Sequence, residues 1–95
     1  MFDKMKQVLE MKRKMDELKR ELEGLVLVSE DSLVKVTITG EQQIKSVELK
    51  SEPAAVSRRD LESSLTDTFN RAVKESQKAA AQKMGALGSL AGLGL

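Results

Sequence analysis

Leu33-Val34-Lys35-Val36-Thr37-Ile38-Thr39-Gly40 alternates apolar and polar side chains with a period of two. Successive side chains of a strand point to opposite faces, so Val34, Val36 and Ile38 share one face and Lys35, Thr37 and Thr39 the other. The stretch predicts a half-buried strand, its polar row turned to solvent or a subunit neighbour and its end marked by Gly40. The neighbouring segments extend the pattern. Leu25 to Ser29 is apolar and β-branched, and Ile44 to Leu49 alternates again, with Val47 and Leu49 on one side. The connections Glu30-Asp31-Ser32 and Gly40-Glu41-Gln42-Gln43 are short, which predicts an antiparallel meander of three strands. The first of them lacks the glycine that a two-residue hairpin favours.

Two long helical patterns flank the strands. In the first, from about Asp3 to Glu23, Val8, Met11, Met15, Leu18, Leu22 and Leu25 recur at alternating steps of three and four, an a/d seam. Most other positions are charged, with opposite signs one turn apart at Lys6/Glu10, Glu10/Lys14, Arg13/Glu17 and Asp16/Arg20. Gly24 fits the helix C-terminus. The sheet is too small to cover the whole seam, so part of it is expected on another helix, with Val8, Met11, Met15, Leu18 and Leu22 as candidates for a dimer seam. After a loop from Ser51 to Val56 that holds the only proline, Pro53, the second helix is expected over about Arg58 to Met84. Ser57 reads as its N-cap, with Asp60 three residues on. Leu61, Leu65, Phe69, Ala72, Val73, Ser76, Ala79 and Ala80 form its inner face. The last eleven residues, 85–95, hold four glycines and four leucines and are expected to be a flexible tail. The fold class is therefore α+β: a long N-terminal helix, a three-stranded antiparallel meander and a long C-terminal helix, in one domain over residues 1–84.

Composition narrows the function. The 95 residues hold no His and no Cys, which removes the usual general base, the thiol nucleophile, imidazole and thiolate metal ligands, and disulfides. No glycine-rich phosphate loop occurs, and the carboxylates of the first helix sit beside Lys or Arg partners. An enzyme is not expected, and neither is a cofactor, a metal or a small-molecule substrate. Phe2 and Phe69 are the only aromatic residues, so the core must be aliphatic, and a chain this short is stabilised most simply by a second copy of itself. No apolar run reaches the length of a membrane helix and the N-terminus has no apolar signal region, which together predict a cytosolic protein.

The net charge is +1, from 16 basic and 15 acidic residues, so only the distribution can point to a polyanion. Between Thr68 and Met84 four basic residues, Arg71, Lys74, Lys78 and Lys83, face a single acid, Glu75. Arg71, Lys74 and Lys78 share one side of the helix and can displace counterions from phosphates. Lys12 and Arg13 on the first helix are further candidates, although Glu10, Asp16 and Glu17 surround them. With so few aromatics, base stacking is disfavoured and duplex backbone contact is the expected mode. The rival reading, from another class, is a chaperone-like or adaptor clamp for a protein partner, which near-zero net charge and the Leu/Gly tail favour.

The order of these segments resembles the YbaB/EbfC family of nucleoid-associated proteins over about Met1 to Met84. Met1-Phe2-Asp3-Lys4-Met5-Lys6-Gln7 is similar to the family's opening helix, and Leu33 to Gly40 to its LVKVTxNG strand. Val47-Glu48-Leu49 resembles a further strand, and Leu61-Glu62-Ser63-Ser64-Leu65 with Phe69-Asn70-Arg71-Ala72 its second helix. Two departures are visible: Glu30-Asp31-Ser32 lacks the glycines common there, and Thr39 stands where asparagine is usual. The resemblance implies a tweezer-like homodimer that associates with duplex DNA in the nucleoid, through the exposed faces of its helices, in chromosome organisation or gene regulation.

Overall fold

A computed structural model describes residues 2–90, with side chains for residues 3–85. The chain runs through helix α1 (Phe2–Gly24), strands β1 (Val26–Glu30), β2 (Val34–Thr39) and β3 (Ile44–Leu49), a 3-10 turn at Pro53–Ala55, and helix α2 (Arg58–Leu90). The strands form one antiparallel sheet in the order β1-β2-β3. This is the α+β meander that the alternating stretch predicts. Ser57 caps α2 as expected: its Oγ accepts the Asp60 N–H at 3.1 Å, and its carbonyl accepts the Leu61 N–H at 3.0 Å.

Val34, Val36 and Ile38 are fully buried, and Ala72 of α2 closes the cluster against them. Leu27, Leu33, Leu61, Leu65, Phe69 and Val73 pack around it. Fully burying one Val or Ile side chain is worth roughly 1.5–3 kcal/mol, so this three-residue row matches the net stability of a small domain. The register adds a feature that plain alternation cannot supply. Val36 pairs with Val47 and Thr37 with Ser46, but Ile38 pairs with Ile44, so Lys45 is an extra residue in β3. This bulge returns Ile44 to the face that already carries Val47 and Leu49.

α2 lies across β1 and β2, and α1 touches both α2 and β2. Of the α1 seam, Leu18 is buried and Met11 and Leu22 are half-buried within their own chain, whereas Val8 and Met15 are 67% and 45% exposed. Every side chain from Asp3 to Glu10 is exposed. The C-terminal end of α1 is fixed at the β2–β3 turn, where the Gly40 N–H donates to the carbonyls of Leu22 and Leu25, each at 3.0 Å. A Cβ on Gly40 would lie 3.0 Å from the Leu22 carbonyl oxygen and 3.2 Å from its Cα, so close approach favours glycine there. The left-handed residue of the turn is Gln42, with φ 66°.

Three expectations change. Thr39 faces neither solvent nor a neighbour: it is 1% exposed, and its hydroxyl accepts the N–H groups of Glu41 and Gln43, both at 3.3 Å. None of the four opposite-charge pairs read along α1 closes into an ion pair; the pairs formed among the described residues are Lys50–Glu30, Arg58–Glu62 and Lys83–Glu21. Finally, α2 does not stop at Met84 but runs to Leu90, through two of the glycines in the segment read as a tail. A helix already propagating past Ala79-Ala80-Ala81 gains one hydrogen bond per added residue, which offsets the cost of isolated glycines. Residues 91–95 of that segment lie outside the described residues.

Candidate nucleic-acid interface

Arg71, Lys74 and Lys78 lie on α2, and two tethers fix how α2 sits on the sheet. The first is the β1–β2 turn. The Asp31 carboxylate accepts the N–H groups of Leu33 and Val34, both at 2.8 Å, which closes the turn without glycine. It also accepts the Ser64 hydroxyl of α2. These bonds favour the ionised form: the Ser64 hydroxyl first, then the Leu33 and Val34 amides, hold the Asp31 carboxyl down at about 2. Partial burial opposes them, and Thr68, one turn along α2, adds a smaller pull in the same direction. The Thr68 hydroxyl is itself buried without a hydrogen-bond partner among the described residues.

The same turn takes two cationic side chains. Lys50 Nζ donates to the Asp31 carbonyl at 2.8 Å and lies 3.3 Å from Glu30 Oε2. Arg71 Nη1 donates to the Glu30 carbonyl at 3.1 Å. The second tether is at the far end of β2, where the buried Ser76 hydroxyl donates to the Thr39 carbonyl at 2.7 Å. Ser64 and Ser76 thus hold α2 at both ends of the central strand, twelve residues or about 18 Å apart along the helix axis.

This mounting determines where each candidate cation points. Lys74 and Lys78 follow the buried residues Ala72 and Ser76 by two positions, which turns them about 200° away from the sheet. Both are exposed, and neither forms an ion pair among the described residues. Arg71 is exposed but spends one donor on the sheet; the rest of its guanidinium stays free for a second acceptor. Lys83 Nζ lies 3.6 Å from Glu21 Oε2 of α1 and links the two helices. Lys12 and Arg13 are exposed on α1, on a separate element from the α2 group. The structure therefore brings Arg71, Lys74 and Lys78 together and sets Lys83, Lys12 and Arg13 apart.

The tethering roles of Asp31, Ser64 and Ser76 and the close approach at Gly40 escaped the sequence reading. An Asp just before a strand is a known turn signal, so the Asp31 turn was legible in principle. Its bond to Ser64, across 33 residues, had no local signal. Among the described residues no group of three or more His, Cys, Asp or Glu side chains could hold a metal, and no helix is long and apolar enough to cross a membrane.

The chain is thus a small α+β fold with two long helices and three exposed basic residues, Arg71, Lys74 and Lys78, on one side of α2. The family model of the YbaB/EbfC DNA-binding family matches residues 1–91, nearly the whole chain, and the chain belongs to that family of nucleoid-associated proteins.

Proposed function

We propose that this protein acts as a homodimer on duplex DNA, with limited sequence preference, in the cytoplasmic nucleoid, in chromosome organisation or gene regulation. Contact comes through the outward face of α2. Lys74 and Lys78 are the principal phosphate partners, Arg71 contributes its free donors, and Lys12 and Arg13 of α1 add a peripheral contribution. The observation that carries this reading is the outward, unpaired placement of Lys74 and Lys78 on a helix held at both ends of β2. Flexible ammonium groups on a rigid helix suit backbone neutralisation, which is independent of sequence.

Anisotropy titration of a duplex oligonucleotide across a range of salt tests it. The parent should lose affinity steeply with salt. Replacing Lys74 and Lys78 by Ala should weaken binding on every sequence and flatten the log–log salt slope by roughly 1.8 per chain, about 0.9 for each phosphate contact removed. A double variant with the parental slope would remove α2 from the interface. No salt-dependent binding by the parent would leave the adaptor reading in its place.

A further inference from the structure

The two helices carry the same spacing outward from the sheet. From Leu22 back along α1, the seam steps through Leu18, Met15, Met11 and Val8, by four, three, four and three residues. From Ser76 along α2, the same steps give Ala80, Lys83, Leu87 and Leu90, all within the helix. Leu22 and Ser76 start level, because both are fixed to the same end of β2: the Leu22 carbonyl accepts the Gly40 N–H, and the Ser76 hydroxyl donates to the Thr39 carbonyl. α1 arrives at this end of the sheet and α2 leaves it, so the two run in opposite directions. Their seam positions then pair in turn, Leu18 with Ala80, Met15 with Lys83, Met11 with Leu87 and Val8 with Leu90. This is the layer order of an antiparallel two-helix seam.

The inner layers are closed. Leu18 and Ser76 are buried, Ala79 and Ala80 are half-buried, and α1 and α2 touch. The next layer is clasped from its flank. Helical side chains lean toward their own N-terminus, so in an antiparallel pair Glu21 and Lys83 lean toward each other. Lys83 Nζ accordingly lies 3.6 Å from Glu21 Oε2. The outer layers are open on the α1 side, where Met15 is 45% and Val8 67% exposed. The seam is therefore one continuous row of apolar positions, engaged at its root and bare toward its tip.

We propose that the outer half of the α1 seam is a docking surface for the distal turns of α2 of the same chain, with Leu87 set against Met11 and Leu90 against Val8. The contact continues an interface already made at Leu18 and Ala80, in the same register. Leucines stand at the two layer positions that the alternating steps require, and Gly85 and Gly88 fall outside them. The tether at Ser76 also keeps both leucines beside α1 at a high effective concentration, which a second copy would have to exceed to displace them. In the Met15 layer the aliphatic stem of Lys83 supplies the cover while its ammonium stays with Glu21. Closing these layers joins two separate arms into one two-helix lever and uses Val8, Met11 and Met15 within their own chain.

Paired cysteines in the full chain, which has no native cysteine, test the register. Val8→Cys with Leu90→Cys should form an intrachain disulfide on mild oxidation, seen at the mass of one chain in a non-reducing gel. Met11→Cys with Leu87→Cys should do the same. Leu9→Cys with Leu90→Cys, whose first member lies off the seam, should stay largely reduced. Hydrogen exchange provides an arm that needs no cross-link. Amides from Val8 to Met15 should be protected in the parent and lose that protection in Leu87→Lys with Leu90→Lys, while the β2 amides keep theirs. A disulfide formed only between chains would assign the seam to a second copy and overturn the proposal. No disulfide from either seam pair, equal cross-linking through Leu9, or Val8 to Met15 protection that is absent from the parent or unchanged in the lysine variant would overturn it as well.

Discussion

Ile38 and Ile44 are the same residue on adjacent strands, paired across the sheet and pointing to the same face, yet Ile38 is fully buried and Ile44 is 37% exposed. The difference extends along both strands. β2 carries the innermost row of the core, and β3 has no buried residue. Hydrophobic content does not separate them, for each offers three branched or aliphatic residues to that face. What separates them is the path of α2, which Ser64 and Ser76 hold over the central strand and which is one helix wide. A sheet of three strands is wider than the helix that covers it, so the strand left outside stays exposed.

The largest effect should come from truncating the covered member of the pair. Ile38→Ala should destabilise the chain by about 2–5 kcal/mol in urea unfolding, whereas Ile44→Ala should cost less than half as much at concentrations where the chain is monomeric. A gap that is absent at low concentration would break the comparison.

A smaller effect is expected where α1 meets the end of β2. Gly40→Ala places a Cβ against the Leu22 backbone, which cannot rotate away, and should cost roughly 1–3 kcal/mol in the same assay. Gly24→Ala meets nothing within 4 Å and should leave stability unchanged or slightly raised.

The smallest effect is the most specific in pH. Asp31 titrates at about 2 in the folded chain, below its ordinary value of 3.8, so the unfolded chain takes up the proton first as pH falls. The stability that Asp31 contributes is complete above the ordinary carboxylate range and is lost progressively from about pH 4 down to about 2. Ser64→Ala removes the largest cause of the depression and should move the acid-unfolding midpoint to higher pH, while stability near neutral pH falls only modestly. A midpoint unchanged by Ser64→Ala, followed by circular dichroism, would show that the turn and α2 are not coupled through this bond.

Sequence reading and structure agree where a local period carries the information. The strand at Leu33–Gly40, the two helices, the Ser57 cap and the grouping of Arg71, Lys74 and Lys78 on one side of α2 all follow from local spacing, chiefly the strand and helix periods. They diverge where the outcome depends on partners distant in the chain. Thr39 looks like a solvent-facing residue by alternation, but the turn folds its amides back onto the hydroxyl. Asp31 looks like turn filler, yet it joins β1–β2 to a serine 33 residues away. Lys83, beyond the stripe in the sequence reading, lies beside Glu21 of the other helix, a neighbour no local spacing indicates.

By itself, the sequence determined the order of helices and strands up to Met84, and that Val34, Val36 and Ile38 form the inner row, because backbone geometry converts side-chain spacing directly into faces. The tertiary structure alone decided that α2 covers β1 and β2 but not β3, that the Lys45 bulge turns Ile44 to the face of Val47 and Leu49, and that Lys83 pairs with Glu21 while Lys74 and Lys78 form no ion pair among the described residues. Those outcomes rest on where one rigid helix is tethered, at Ser64 and at Ser76. Such placement is fixed by contacts between distant parts of the chain, which no local period encodes.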